Sequence, residues 1–89
     1  MKIDYPHPKQ DDTLAERGLD MARAAEIFDG TTLTVVDDRK DYGEIRQITI
    51  GFLDGRMVVM VWTQRGETRR IISLRKANER EQTAYASRF

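Results

Sequence analysis

Three β-branched, apolar segments separated by two turn signals occupy the second half of the chain, and they constrain its fold more than any other feature. The first turn signal is Asp54-Gly55, and an Asp-Gly pair between strand-like segments is typical of a type I′ hairpin, in which both central residues have positive φ. The second signal, Arg65-Gly66, provides one glycine for another tight turn. The middle segment, residues 57–62, is apolar on both faces, so it belongs in the middle of a sheet that is covered on both sides.

The rest of the chain adds helices and one more strand around these segments. The expected elements in chain order are an extended arm or short strand at residues 1–5, a polar helix at 9–17, a second helix at 21–29, a strand at 31–36, the three strands within 47–77 and a last helix at 79–88. The last helix is indicated by Asn78 and Glu81, which form a capping box. Its aromatic residues Tyr85 and Phe89 lie four positions apart and are expected to dock it on the sheet. The sequence therefore predicts one α+β domain over residues 1–89, with two N-terminal helices, an antiparallel β-sheet of about four strands and a C-terminal helix.

The composition excludes several kinds of site. The chain has 89 residues, no cysteine and one histidine, so it lacks a disulfide framework, a thiol nucleophile and any multi-histidine metal cluster. The aspartates at positions 37, 38 and 41 lack the alternating ligands and the later glutamate of a calcium loop. The sequence has no glycine-rich phosphate loop, nucleophile elbow, signal peptide or apolar run of ~18 residues. We therefore expect a cytoplasmic protein that uses no metal ion or other cofactor.

The formal net charge of zero conceals an uneven distribution of charge along the chain. Residues 1–55 hold 7 Lys/Arg against 12 Asp/Glu, a balance of −5, whereas residues 56–89 hold 8 against 3, a balance of +5. A basic patch can bind a polyanion even when the total charge is zero. The basic half therefore favours a phosphate-bearing partner, although the same charges also suit a solvated surface.

Several short motifs follow one another along the chain. They are Ala25-x-Ile27-Phe28-Asp29, Gly43-Glu44-x-Arg46, Ile50-Gly51, Thr63-x-Arg65, Arg70-Ile71-Ile72-Ser73-x-Arg75-Lys76-Ala77 and a Glu…Tyr helix ending at Tyr85. In this combination they resemble the BrnT toxin family, and the resemblance covers residues 5–85. Two positions depart from the family pattern, because Arg17 stands where many members have the histidine of a Lys-His-Gly helix end and Thr13 stands where many have asparagine.

The resemblance implies a RelE-like fold and a ribonuclease toxin of a type II toxin–antitoxin system, which cleaves RNA to arrest growth. It also implies a partner, a BrnA-like ribbon-helix-helix antitoxin that neutralises the toxin. The two proteins would repress their shared operon as a complex, so the toxin would meet operator DNA only through the antitoxin. The implied enzyme is a metal-independent endoribonuclease that acts on RNA away from any membrane.

RNA cleavage by 2′-OH attack needs a base for the hydroxyl, charge stabilisation at the phosphorane and an acid for the leaving oxygen. Arginine can hold a phosphate bidentately but does not deprotonate, so proton transfer must come from other side chains. The expected catalytic set is Arg70 and Arg75 as clamps, Lys76 and Tyr85 for proton transfer, and Glu44 as a base. Further contacts to RNA are expected from the basic residues Arg46, Arg65, Arg69, Arg80 and Lys9.

Strand alternation leaves open which side of residues 68–76 is functional. One predicted face carries Arg69, Ile71, Ser73 and Arg75, and the other carries Arg70, Ile72, Leu74 and Lys76. An arginine at the end of such a strand also fits a simple surface ion pair, for example Arg70 with Glu44. Trp62 ends an all-apolar strand, so we expect it in the core and not as a platform for RNA bases.

Two other classes of function fit the same sequence. The chain is alternatively a non-catalytic partner-binding module, or an inactive toxin homologue that acts only as a co-repressor. A regulator that binds nucleic acid through its basic half would contact phosphates alone and show strongly salt-dependent affinity without turnover.

Overall fold

A five-stranded mixed sheet forms the centre of the protein, whose computed structural model describes residues 1–39 and 41–89. The elements in chain order are β1 (Lys2–Asp4), α1 (His7–Arg17), a 3₁₀ turn (Met21–Arg23), α2 (Ala24–Asp29), β2 (Leu33–Asp37), β3 (Arg46–Leu53), β4 (Arg56–Arg65), β5 (Thr68–Lys76) and α3 (Glu79–Ala86). The strands lie side by side in the order β1-β5-β4-β3-β2. The pair β1–β5 is parallel, and the other neighbouring pairs are antiparallel.

The α+β class and the three helices predicted from the sequence are confirmed, but the prediction of about four antiparallel strands is wrong. The N-terminal arm adds a fifth strand, in which Lys2 pairs with Thr68 and Asp4 pairs with Arg70. The parallel direction is possible because no hairpin joins β1 to β5, since α1, α2 and the strands β2 to β4 lie between them in the chain. A three-residue strand has too little sequence for its direction to be read from a pattern.

The predicted hairpin turn and the predicted central strand are both present. Asp54 has φ of 53° and Gly55 has φ of 76°, as a type I′ turn requires. The strand β4 lies in the middle of the five, and Val58, Val59 and Met60 are all buried. This strand is thus buried on both faces over residues 58–60.

The N-terminal helices cover one side of the sheet, which we call the helix face. Its core includes Met21 and Ile27, which have no exposed surface. Gly51 lets α2 lie close to β3, because a Cβ added there would sit 2.8 Å from Cγ2 of Ile27. Trp62 belongs to this core and donates a hydrogen bond from Nε1 to Oγ1 of Thr49 at 2.8 Å, so it is a core residue as predicted.

The helix α1 begins earlier than predicted and is anchored at its end. Its N-cap is Pro6, and a proline stands in its first turn, where the missing N–H has no partner to lose. Gly18 ends the helix with φ of 66°. Arg17, one of the positions that depart from the family pattern, donates from Nη1 to the main-chain oxygen of Leu74 in β5 at 2.8 Å. No helix in the described parts of the chain is long and apolar enough to cross a membrane.

The helix α3 covers one end of the other side of the sheet, which we call the open face. Its start is the predicted capping box between Asn78 and Glu81. Tyr85 packs against a small buried cluster of Ile50, Val59 and Ala77. Phe89 meets Phe52 edge to face, with ring centroids 5.1 Å apart. No residue of α3 is itself buried, so the helix rests on the surface of the sheet and leaves the adjoining part of the open face uncovered.

A β-bulge in β5 decides which of its side chains share a face. Val61 pairs with Ser73, but the next residue, Trp62, pairs with Ile71, so Ile72 is the extra residue of the bulge. Because side chains alternate with a period of two, one extra residue exchanges the faces of everything beyond it.

Neither of the two sets expected from strict alternation in β5 is therefore found. The residues brought together on the helix face are Arg69, Ile71 and Leu74. The residues brought together on the open face are Arg70, Ser73 and Arg75. The bulge thus places two of the predicted clamp arginines, one from each expected set, on the same side of the sheet.

Candidate functional site

A depression of about 430 Å³ lies on the open face of the sheet beside α3, and we call it the sheet depression. Its apolar floor is formed by four strand residues, Ile48, Ile50, Val59 and Val61. Its charged and polar walls come from the end of β2, from β5 and from α3, through Asp37, Asp38, Arg39, Ser73, Arg75, Glu81 and Tyr85. A depression with an apolar floor and polar groups at the walls is a typical form of ligand site.

Arg75 and Glu81 form a bidentate ion pair at the α3 wall. Nη1 of Arg75 lies 2.6 Å from Oε1 of Glu81, and Nη2 lies 2.8 Å from Oε2. The hydrogen bonds that Arg75 donates to Glu81 lower the pKa of Glu81 and raise the pKa of Arg75, so both groups stay charged. Oε1 of Glu81 also accepts from the main-chain N–H of Asn78, which joins the ion pair to the helix cap. The arginine is therefore held in one orientation by the same residue that starts α3.

Asp37 and Arg39 form a second bidentate ion pair at the β2 wall. The Asp37 side chain is only 1% exposed, and it accepts from Nε of Arg39 at 2.8 Å and from Nη2 at 2.9 Å. The hydroxyl of Tyr42 donates to the same carboxylate at 3.3 Å. Chiefly through the hydrogen bonds from Arg39, the pKa of Asp37 falls to about 2. A buried carboxylate thus fixes an arginine whose side chain is 73% exposed.

We expect Asp37→Asn to make the stability of the fold less sensitive to acid. The pKa of Asp37 is about 2 in the folded chain, below its ordinary value of 3.8, so folding favours the ionised form. This contribution is complete above the ordinary pKa and is lost as the pH falls from about 4 to about 2. Urea unfolding of both proteins between about pH 6 and pH 2 measures it. The stability advantage of the wild-type chain should shrink across that interval, and a constant difference would contradict the expectation.

Arg70 lies on the open face but outside the set of residues that line the depression. It forms an ion pair with Asp4 of β1, and the hydrogen bond from Arg70 is the main cause that lowers the pKa of Asp4. The carboxylate partner suggested by the sequence was Glu44, which instead lies 3.4 Å from Nη2 of Arg65. Arg70 therefore links β1 to β5.

Glu44, Arg46 and Arg65 form a group where β3 begins and β4 ends. Oε1 of Glu44 is 3.9 Å from Nε of Arg46, whose guanidinium carbon also stands 3.9 Å above the ring of Tyr42. Nε of Arg46 is buried without a hydrogen-bond partner in the described residues. The three charged side chains lie close to one another, but none of them lines the sheet depression.

The other predicted site residues lie apart from the depression. Lys76 pairs with Val58, a residue of the helix-face core, so it projects on the opposite side from Arg75 and is exposed. Arg69 also projects to the helix face, where its guanidinium carbon lies 4.4 Å from the ring centre of Phe28. Arg80 is exposed on α3, and Lys9 is exposed on α1. Of the ten predicted site residues, the depression brings together Arg75 and Tyr85.

Sequence reasoning missed three residues of the depression, namely Asp37, Arg39 and Glu81. Glu81 was predicted only as part of the helix cap. It lies six positions after Arg75, just beyond the turn into α3, and this spacing lets its side chain reach the arginine. Asp37 was considered only as a ligand of a calcium loop, and Arg39 was not singled out. The available signal was that an aspartate directly ends a strand and an arginine follows two positions later, a spacing that suits a local ion pair.

The walls of the sheet depression carry two arginines and three carboxylates. In the described residues, no three or more histidine, cysteine, aspartate or glutamate side chains come together as metal ligands. No curated protein matches the chain. A family model described as the ribonuclease toxin BrnT of type II toxin–antitoxin systems matches residues 5–81, which is most of the 89-residue chain. The chain therefore belongs to the BrnT family of ribonuclease toxins of type II toxin–antitoxin systems.

Proposed function

We propose that this single-domain chain is a metal-independent endoribonuclease whose substrate backbone binds in the sheet depression. The observation that carries the proposal is that Arg75 and Tyr85 line the same depression, above an apolar floor. A cation that can contact phosphate and a hydroxyl that can transfer a proton are two of the groups that RNA cleavage by 2′-OH attack requires.

The proposed role of Arg75 is to bind the phosphate and to stabilise the charge that develops on it. Two of the five N–H groups of the Arg75 guanidinium donate to Glu81, so three remain for phosphate oxygens. The paired carboxylate also keeps the planar fork from rotating, which reduces the ordering cost when the phosphate binds.

Proton transfer is proposed for Tyr85, which stands in the depression, whereas Lys76 and Glu44 would act only if RNA extends beyond it. Arg70 and Arg46 lie on the open face, both paired with Thr63 of β4, and are proposed to contact the backbone beyond that end of the depression. Arg65 is placed to join them from the end of β4. Arg69 and Lys9 would require RNA to leave the open face, and Arg80 is exposed on α3 outside the lining of the depression, so we propose no contact for them.

Control of the toxin is proposed to follow the family pattern. A BrnA-like ribbon-helix-helix antitoxin would bind this RelE-like chain and cover the open face, and the complex would bind operator DNA through the antitoxin. Free toxin would then cleave RNA and arrest growth. The alternative is an inactive homologue that keeps only the partner-binding role.

Cleavage of a mixed-sequence single-stranded RNA by the purified chain tests the proposal. We expect cleavage to continue in excess EDTA, to give 5′-hydroxyl products, and to stop when every 2′-OH is replaced by 2′-O-methyl, since that group cannot attack the phosphate. A requirement for added divalent metal would contradict the proposed mechanism. A folded chain that cleaves no RNA, but binds its antitoxin and represses with it, would establish the alternative.

A further inference from the structure

Two anchored arginines line opposite walls of the sheet depression. Arg75 comes from β5 and is held by Glu81, while Arg39 follows β2 and is held by Asp37. The strands β2 and β5 are separated in the sheet by β3 and β4, whose apolar residues form the floor between the two cations. The arrangement is therefore a pair of carboxylate-paired arginines on either side of an apolar strip about two strands wide, and Asp38 also belongs to the lining.

Arg39 is oriented by its ion pair with Asp37 and is still open to solvent. Its carboxylate partner is almost completely buried, yet the arginine side chain is 73% exposed. Asp37 engages Nε and one N–H of Nη2, and Tyr42 is a further hydrogen-bond partner of the guanidinium, so two of the five N–H groups of Arg39 are left for another acceptor. The two arginines are close enough to repel each other, because the positive charge of Arg39 opposes the increase in the pKa of Arg75 that Glu81 chiefly causes.

We propose that Arg39, oriented by Asp37, is a second phosphate clamp of the proposed ribonuclease site, so that the depression holds two phosphates of one RNA strand and the nucleoside between them. The inference rests on the proposed function and adds to it a binding residue and the form of the substrate. The nucleoside would lie over the apolar floor, since its base has two apolar faces and its phosphates need cations at both ends. Base-paired RNA has its bases stacked inside the helix, so the strand must be single at this point.

Binding of a short single-stranded RNA with 2′-O-methyl groups at every position tests this clamp without interference from cleavage. We expect Arg39→Ala to raise the Kd by about tenfold, because hydrogen bonds to charged groups are among the strong ones. We also expect the dependence of log Kd on log salt to become shallower by about 0.7, the slope typical of one lost phosphate contact to a single strand. Arg56→Ala is the matched control, because it removes an exposed arginine at the β3–β4 turn and outside the sheet depression.

The outcomes separate this inference from the proposed function. If the wild-type chain neither binds nor cleaves single-stranded RNA, the proposed function fails. If the wild-type chain binds and cleaves but Arg39→Ala binds with unchanged Kd and unchanged salt slope, the clamp is overturned and the proposed function stands. If Arg39→Ala weakens only binding of the antitoxin, the arginine belongs to the protein interface instead. Thermal unfolding of Arg39→Ala is measured in parallel, and rescue of the salt slope by Arg39→Lys would show that charge at this wall is the property required.

Discussion

Arg75→Ala is expected to lower kcat for RNA cleavage by roughly 10²- to 10³-fold, the cost typical of removing one preorganised donor from a developing negative charge. The arginine meets three conditions for this role, since it lines the sheet depression, is oriented by a bidentate carboxylate and keeps N–H donors free. The measurement is single-turnover cleavage of one RNA at saturating protein, which reports the chemical step. A loss confined to KM would instead assign Arg75 to binding alone.

Arg75→Lys refines this expectation, because lysine keeps the charge but loses the planar fork that matches both a carboxylate and a phosphate. We expect Arg75→Lys to recover only part of the lost rate. Arg56→Ala again serves as the control for loss of one positive charge, since Arg56 is exposed and lies outside the depression.

Removal of Arg75 also leaves the Glu81 carboxylate, which is 21% exposed, without its main partner. Thermal unfolding must therefore accompany the kinetics, so that a weaker fold is not mistaken for a weaker site. Cleavage by folded Arg75→Ala at the wild-type rate would contradict the placement of the site in the sheet depression.

The central part of the fold could be predicted because local signals there agree with each other. The Asp54-Gly55 turn, the doubly apolar middle strand and the Asn78–Glu81 capping box each require a structure within a few residues, and all three are present. The parallel pairing of β1 with β5 could not be predicted in this way. It joins residues more than sixty positions apart through three pairs, and no local pattern encodes such a contact.

The site was harder to predict because it depends on one residue of register. Strict alternation separates Arg70 from Arg75, and the extra residue Ile72 brings them to the same face. The same bulge sends Lys76 to the side opposite Arg70, although alternation placed the two together. A bulge within an apolar strand has no marker in the sequence here, since no glycine stands in residues 68–76. The placement of Arg39 and Arg75 at one depression likewise could not be predicted, because it depends on the order of the strands in the sheet.

Tyr85 and Lys76 are the two candidates for proton transfer. They lie on opposite sides of the sheet, so variants of each residue can be compared to locate the reaction. Tyr85 lines the sheet depression beside Arg75, whereas Lys76 projects from the other side of β5. We expect Tyr85→Phe to lower kcat by roughly 10²- to 10⁴-fold, the range typical of a lost general acid or base. The ring that packs against Ile50, Val59 and Ala77 is kept, so the fold should not change.

Binding of the 2′-O-methyl RNA separates chemistry from affinity in this comparison. Tyr85→Phe should bind that RNA with nearly the wild-type Kd, because only the hydroxyl is removed. Lys76→Ala is the rival variant. A larger loss of kcat in Lys76→Ala than in Tyr85→Phe, at equal stability, would move proton transfer to the other side of β5. The scissile phosphate would then lie at the end of the strand, beyond the sheet depression, with Arg75 acting on a neighbouring phosphate.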